Sequence, residues 1–431
     1  MEMRTPRDDA RGIWDAAVAA ARPGPLVERF FRDDPLAREI RAASRVVVVG
    51  AGKAGRAMAE GLEAALPDRP LVGLVNVPKG VHGSLPRIRL HPARPQGVNE
   101  PTAAGVAGTE EMLALLGSAG PGDVAVCLLS GGGSALLPAP AAGVTLDDKL
   151  AVTKLLHRSG ATIDEMNCVR KHLSRVKGGR MAEAFRGDRL VSLIVSDVVG
   201  DPLDVIASGP TAPDPTTFEM ALAILNRFDL LNRVPPGVKG HLERGGAETP
   251  KSIPPNVVNR VIGSNRVSLD AAKREAESRG YRVLDLGSYV EGETAAVATA
   301  VAGIVRSIRR DAVPLALPAC ILIGGETTVS LGSGSGRGGR NQEFVLAMLV
   351  KLGRAGMDGV VSLSGGTDGE DGPTDAAGAI ADAGTLDVSS LEAEDHLRRH
   401  DAYPFFDATW DLLRTGLTGT NVMDVRVVLV T

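Results

Sequence analysis

RVVVVGAGKAG (45–55) sets four consecutive valines against a glycine-rich turn. An apolar run of this length reads as a strand buried on both faces, which is the habit of parallel sheets. RAMAEGLEAAL (56–66) follows with helical period, and LVGLVNV (71–77) is a second apolar run. Strand, turn, helix, strand predicts a parallel α/β sheet. Downstream, DVAVCLLSGGGSALL (123–137) repeats the pattern of strand, glycine turn and helix start. TLDDKLAVTKLLHRSGA (145–161) reads as a helix capped by Thr145, and RLVSLIVSDVVGD (189–201) as a strand entering a loop. Upstream, residues 9–40 read as helical, with Ile13, Trp14, Ala17 and Val18 on one stripe.

The second half opens with VVNRVIGSN (257–265), strand then turn, followed by the helix SLDAAKREAESRG. CILIGGETTVSL (320–331) reads as strand, turn, strand. NQEFVLAMLVKLG (341–353) is helical, GVVSLSGGTDGEDGPTDAAG (359–378) is a strand feeding an acidic glycine loop, and DVRVVLV (424–430) is a last strand. At roughly 100–200 residues per domain, 431 residues favour two domains. The stretch from Val234 to Pro255 holds five prolines and four glycines and is taken as the linker. The expected division is therefore a Rossmann-like α/β domain over 1–240 and a smaller α/β domain over 241–431.

Composition narrows the function. Hydrophobic residues make up 44% and charged residues 23%, an ordinary soluble profile, and a net charge of −4 argues against a nucleic-acid partner. The charged N-terminus does not read as a signal peptide, and no apolar run is long enough to span a membrane. Cys127, Cys168 and Cys320 are widely spaced and read as buried free thiols, which suits a reducing cytoplasm.

The chemistry-bearing residues sit in glycine loops. Gly50, Gly52 and Gly55 fit G-x-G-x-x-G between a strand and a helix, where backbone N–H groups can cradle an anion. A dinucleotide site also wants an acid at the end of the next strand, which ends Val75, Asn76, Val77, Pro78. Lys53 lies inside the loop instead, either as a charge beside the anion or as a solvated helix-start lysine. Ser130, Gly131, Gly132, Gly133 and Ser134 form either a nest of N–H groups or a tight turn. The basic run NCVRKHLSRVKGGR (167–180) offers Arg175 and Lys177, as an anion-facing or a solvated helix face. Asp197 ends a strand and is read as an Mg²⁺ ligand, a proton acceptor or a turn cap. Asn265 and Glu326 end strand-and-turn units and are candidate substrate- or phosphate-binding residues. Arg337 and Arg340 follow the glycine-rich stretch 332–339 and suit phosphate oxygens, Arg340 ahead of Arg337. Asp368 is a second Mg²⁺ candidate. Neither a P-loop nor the protein-kinase signature is present.

In this order and over roughly residues 40–430, these stretches resemble the glycerate kinases that carry the MOFRL domain. The segments that carry the resemblance are VVVVGAGKAG, SGGGSALL, NCVRKHLSRVKGGRMA, VSDVVGDPLDVIASGPT, GGETTVSLGSGSGRGGRNQE and SGGTDGEDGPTDAAGA. The resemblance implies an N-terminal Rossmann-like domain, a smaller C-terminal MOFRL-like α/β domain and an active site in the cleft between them. It also implies ATP, Mg²⁺ and D-glycerate, with 2-phosphoglycerate as product and Lys53 and Arg340 as the catalytic cations. Asp197, Glu326 and Asp368 match the family's acidic positions. Where members often read HPVPDE, this chain has His91-Pro-Ala-Arg-Pro-Gln96, losing an aspartate and gaining Arg94. An NAD(P)H-dependent hydroxypyruvate reductase is the alternative activity, and a non-catalytic nucleotide sensor a third. A small-molecule enzyme in the cytoplasm is expected, without nucleic acid or membrane, and a homodimer is left open.

Overall fold

Val46, Val47, Val48 and Val49 are all fully buried, as their continuous apolar run demands. The computed structural model describes residues 5–81, 84–95, 97–332, 336–388 and 392–431. The chain divides into two units, Pro23–Ile262 on the one hand and Met1–Arg22 with Gly263–Thr431 on the other. Among the described residues no helix is long and apolar enough to cross a membrane.

In the unit Pro23–Ile262, strands β1 (Arg45–Ala51), β2 (Leu71–Pro78), β3 (Ile88–Arg94), β4 (Asp123–Leu129), β5 (Arg189–Val195) and β6 (Val257–Gly263) lie in the order β3-β2-β1-β4-β5-β6. β1 runs parallel to β2 and to β4, with Val47 opposite Val72 on one side and Ala125 on the other. β2–β3 and β4–β5 are parallel as well. The order reverses between β1 and β4, so the loops that leave their carboxyl ends open onto a switch point, where open α/β sheets take ligands. Val47, Val49, Leu74, Ala125, Leu129 and Leu190 share one core with Met112 and Leu116 of helix Ala103–Gly117. A second core gathers helices Leu146–Arg158, Ile163–His172, Phe218–Arg227 and Pro236–Arg244 around Val152, Val169, Leu225 and Leu242. The expected cap is present: Thr145 Oγ1 accepts the Asp148 N–H at 3.0 Å, and Asp148 returns a carboxylate to the Thr145 N–H at 2.9 Å.

The other unit holds β7 (Arg282–Asp285), β8 (Ala319–Ile323), β9 (Val360–Gly366), β10 (Gly378–Ala381), β11 (Leu412–Leu413) and β12 (Asp424–Val430), ordered β11-β10-β9-β12-β8-β7. β12 is antiparallel to both β8 and β9, while β7 and β8 are parallel. Helix Arg340–Met357 packs its buried face into the core that contains Ile321, Ile323 and Val428.

Several expectations differ from what forms. The Pro- and Gly-rich stretch 234–255 contains helix Pro236–Arg244 with Val238 and Leu242 in the core, so it is part of the first unit. β6 closes the edge of the first sheet beside β5, which moves the division from 240/241 to 262/263. The N-terminal segment joins the second unit, because the stripe Ile13, Trp14 and Ala17 packs on Leu269, Ala272 and Val427. Each large apolar side chain buried there contributes roughly 1.5–3 kcal/mol. Trp14 Nε1 also donates to Gly365 O at 3.3 Å, and Ser268 Oγ to Ala17 O at 2.9 Å. Residues 9–40 are helical as expected, in helices Pro6–Ala20, Pro23–Asp33 and Leu36–Ala42. The second strand read in 320–331 is reduced to a single bridge between Thr328 and Glu293.

Candidate functional site at the switch point of the first sheet

The loops after β1 and β4 are stitched to each other by hydrogen bonds. Lys53 N–H donates to Gly131 O at 2.9 Å, Ser130 N–H to Ala51 O at 3.2 Å and Ala54 N–H to Ser130 Oγ at 3.1 Å. Two of the glycines are required by their surroundings. Gly132 has φ 75°, the left-handed region that side chains disfavour. A Cβ on Gly131 would stand 2.3 Å from Asp197 Oδ2, so the missing side chain is what admits the carboxylate. Lys53 lies over the same loop, since a Cβ on Gly132 would be 3.6 Å from its Cγ. Arg94 reaches there too, its Nη2 3.1 Å from that point, although it is otherwise buried and donates to Val98 O. Gln96 of the altered segment lies outside the described residues, as do Ser333, Gly334 and Ser335 of the second glycine stretch.

A cavity of about 530 Å³ opens at this point, lined by Ser130, Gly132, Gly133, Ser134 and Asp197 from the loops. Lys149, Arg170 and Lys177 line it from the helical side. Ser134 Oγ is their focus, accepting from Arg170 Nη2 at 2.7 Å and Lys177 Nζ at 2.8 Å. Ser208 Oγ lies 2.9 Å from the same oxygen. Lys177 also donates to Ser134 O at 2.8 Å, and Lys149 to Leu173 O at 2.9 Å. Burial, then the charge of Arg170, pulls the Lys149 ammonium down to about 7. Burial, then Arg170 and Lys149, also holds Lys177 well below the ordinary lysine value. Burial lowers Arg170 as well.

The switch point thus brings together Gly50 at the end of β1, Gly52, Lys53, the residues 130–134, Lys177 and Asp197. Arg175 stands apart from the cavity lining: it pairs with Glu110 and donates to Pro140 O at 3.0 Å. Lys149 and Ser208, which are not among the candidates of the sequence, enter the site, as does Arg170 of the basic run 167–180. For Lys149 a signal existed, because it falls on the buried stripe of its helix with Val152 and Leu156.

The remaining candidates belong to the other unit, where Arg340, Glu326 and Asn265 share a polar network around Asp424. Arg340 holds fully buried Asp424 with Nε at 2.7 Å and Nη2 at 3.1 Å, and pairs with Glu326 at 2.8 Å. Burial opposes the charge of Arg340, but Asp424, then Glu326, raise it above its ordinary value. Asp424 also accepts from Asn341 at 2.9 Å and from Arg426 at 3.0 Å. Asp371 caps helix Arg340–Met357 by accepting the N–H groups of Asn341 and Gln342 at 3.0 and 2.9 Å. Asn265 is used as a clamp: it donates to Val422 O and Asp424 O at 2.8 Å each and accepts from Gly325 N–H at 3.2 Å. The Arg337 guanidinium stacks 3.8 Å over the Tyr403 ring. Asp368 Oδ1 accepts the Glu370 N–H at 3.1 Å in the turn after β9.

Residues 9–243 match a family described as a domain of unknown function, DUF4147, and residues 319–424 match the MOFRL family. A glycerate 2-kinase of Pyrococcus horikoshii is 39% identical over 96% of this chain and 95% of its own. A protein of Agrobacterium vitis, provisionally named hydroxypyruvate reductase, is 42% identical over 98% of this chain and 94% of its own. The crystal structure of a glycerate kinase from Thermotoga maritima superposes with a TM-score of 0.90 at 35% identity, covering 99% of each chain.

Proposed function

This chain belongs to the glycerate kinase family that carries the MOFRL domain, and we propose on that premise that it transfers a phosphoryl group from ATP to D-glycerate, giving 2-phosphoglycerate. The observation that carries this reading is the cavity where two interlocked glycine loops meet a carboxylate and buried cations. Phosphoryl transfer asks a protein mainly for positioning and for charge opposite the moving group.

Lys53 is proposed to supply such a charge, its side chain being exposed beside Gly132. Asp197 lines the cavity and is proposed to orient the glycerate hydroxyl and accept its proton. Its carboxylate oxygen, admitted by Gly131, is also a hard donor that suits Mg²⁺. Among the described residues no group of three or more His, Cys, Asp or Glu side chains gathers, so an Mg²⁺ here would share Asp197 with nucleotide oxygens. When bound, Mg²⁺ supplies charge neutralisation at those oxygens. Arg340, in the other unit, is proposed as a second cation on which turnover depends. A cytoplasmic enzyme is part of the reading, supported by three cysteines buried as free thiols.

Asn76 favours this activity over an NAD(P)H-linked reductase. It stands near the end of β2, where a dinucleotide fold places an acid for the ribose. Its amide is fully buried and donates inward, to Leu136 O at 2.7 Å and Gly105 O at 3.2 Å. The deciding experiment incubates the pure protein with ATP, Mg²⁺ and D-glycerate and follows the product by phosphorus NMR. A 2-phosphoglycerate resonance that needs all three is expected. Absence of any phosphoglycerate, with NADH oxidised by hydroxypyruvate without ATP, overturns the reading in favour of the reductase.

A further inference from the structure

The cavity gathers more positive charge than one transfer step employs. Lys149, Lys154, Arg158, Arg170 and Lys177 line it, against the carboxylates Glu100 and Asp197. Lys154 is paired with Glu100 at 3.2 Å. Among the described residues Lys149, Arg170 and Lys177 have no carboxylate within ion-pair distance, and their hydrogen bonds go to neutral oxygens of Ser134, Asn167, Ser208 and Leu173. Lys177 is 2% and Lys149 6% exposed. The adjacent Lys171 is the contrast: it is equally buried but sits between Asp204 and Asp214, each at 3.2 Å. The fold therefore pairs a buried lysine where pairing is structural, and leaves three buried basic groups on the cavity wall without a carboxylate. Buried like charges without a counter-charge are costly unless a ligand provides one.

We infer that Lys149, Arg170 and Lys177, with the hydroxyls of Ser134 and Ser208, seat the phosphate chain of the nucleotide. This rests on the phosphoryl-transfer reading above. A hydroxy acid brings a single carboxylate charge, whereas a polyphosphate brings several, which matches two basic groups on Ser134 and a third, Lys149, on the same cavity wall. The volume, about 530 Å³, falls within the range of sites that enclose nucleotide-sized ligands. Leu150, Met166 and the exposed Ile163 supply an apolar wall for the uncharged end. The phosphate chain also raises both lowered lysines, and through Lys149 binding takes up protons near neutral pH. The other titratable or charged groups around these lysines are Arg170 itself, Lys171 with its two aspartates, and Glu100, Lys154, His157, Arg158 and Asp197 on the wall.

The test is isothermal titration of the full chain with ADP, inorganic tripolyphosphate and D-glycerate in turn, in buffers of low and high ionisation enthalpy. ADP and tripolyphosphate should compete and take up protons on binding. Arg170→Gln and Lys177→Met should each weaken both by roughly 10- to 100-fold and leave D-glycerate within about twofold. Loss of D-glycerate with ADP unchanged would assign the cations to the acceptor and overturn the inference. Unchanged affinity for all three ligands would make the cluster structural and overturn it equally. If Lys177→Met does not fold, Arg170→Gln, checked by circular dichroism, decides alone. ADP held here without any phosphoglycerate formed would sink the transfer reading and leave this one standing. Turnover with nucleotide affinity unaltered in both variants would do the reverse.

Discussion

Gly131→Ala asks whether Asp197 acts in the reaction. The added Cβ would stand 2.3 Å from Asp197 Oδ2 and 3.0 Å from its Cγ. Bringing the oxygen out to 3.0 Å, the nearest approach that real Cβ atoms show, takes a shift of about 0.7 Å. The atom that must yield is the far end of a side chain, so the fold should lose no more than about 1–2 kcal/mol. Catalysis is less tolerant. A misplacement of about 1 Å costs on the order of 100-fold, so kcat should fall roughly 10- to 100-fold. KM for ATP should stay within about threefold, because the cations on the helical side are untouched. A coupled assay that follows ADP release, with thermal denaturation as the check on folding, reads all three quantities. A folded Gly131→Ala protein with kcat within twofold of the parent would refute the role given to Asp197.

Lys53→Ala should lower kcat by roughly 100- to 1,000-fold with an unchanged melting curve, since the side chain is exposed; near-normal steady-state turnover would remove Lys53 from the mechanism. Arg340→Ala should destabilise the chain by about 3 kcal/mol in urea titration, because the carboxylate of fully buried Asp424 keeps, among the described residues, only Arg426 and Asn341 as partners. Urea midpoints within experimental error of the parent would show that the Asp424 network does not need Arg340. Lys149 titrates near 7 in the fold and at its ordinary 10.5 when unfolded, so the unfolded chain holds more protons between those values. Stability should therefore rise with pH across that window, and Lys149→Met should flatten part of the rise. Parallel profiles of urea midpoint against pH for the two proteins would contradict the lowered value.

Much of the first unit was legible, and so were its limits. The valine run, the glycine turns and the Thr145 cap are local patterns, and each formed where expected. The stretch 234–255 misled because prolines and glycines mark breaks in regular structure. They do not report that Val238 and Leu242, on the helix between those breaks, reach a core. Asn265 follows β6, and from that position its amide clamps β12 and Gly325, contacts that no local pattern announces. The basic run 167–180 was seen as a run, but its members have different fates: Lys171 is neutralised, Arg175 is drawn to Glu110, and Arg170 and Lys177 face the cavity. Composition cannot separate them, because each fate is set by a residue distant in the chain.

By itself the sequence determined which segments are strands buried on both faces, where the backbone must turn on glycine, and that the thiols are buried. Those properties depend on periodicity and on neighbours a few positions away. Only the tertiary structure decided that β6 closes the first sheet, that the first helix belongs with the last strand, and that Arg340 finds its carboxylate 84 positions away. It also decided that one serine collects the charges of Arg170 and Lys177. Such pairings depend on which distant surfaces exclude water together, and no local pattern encodes that.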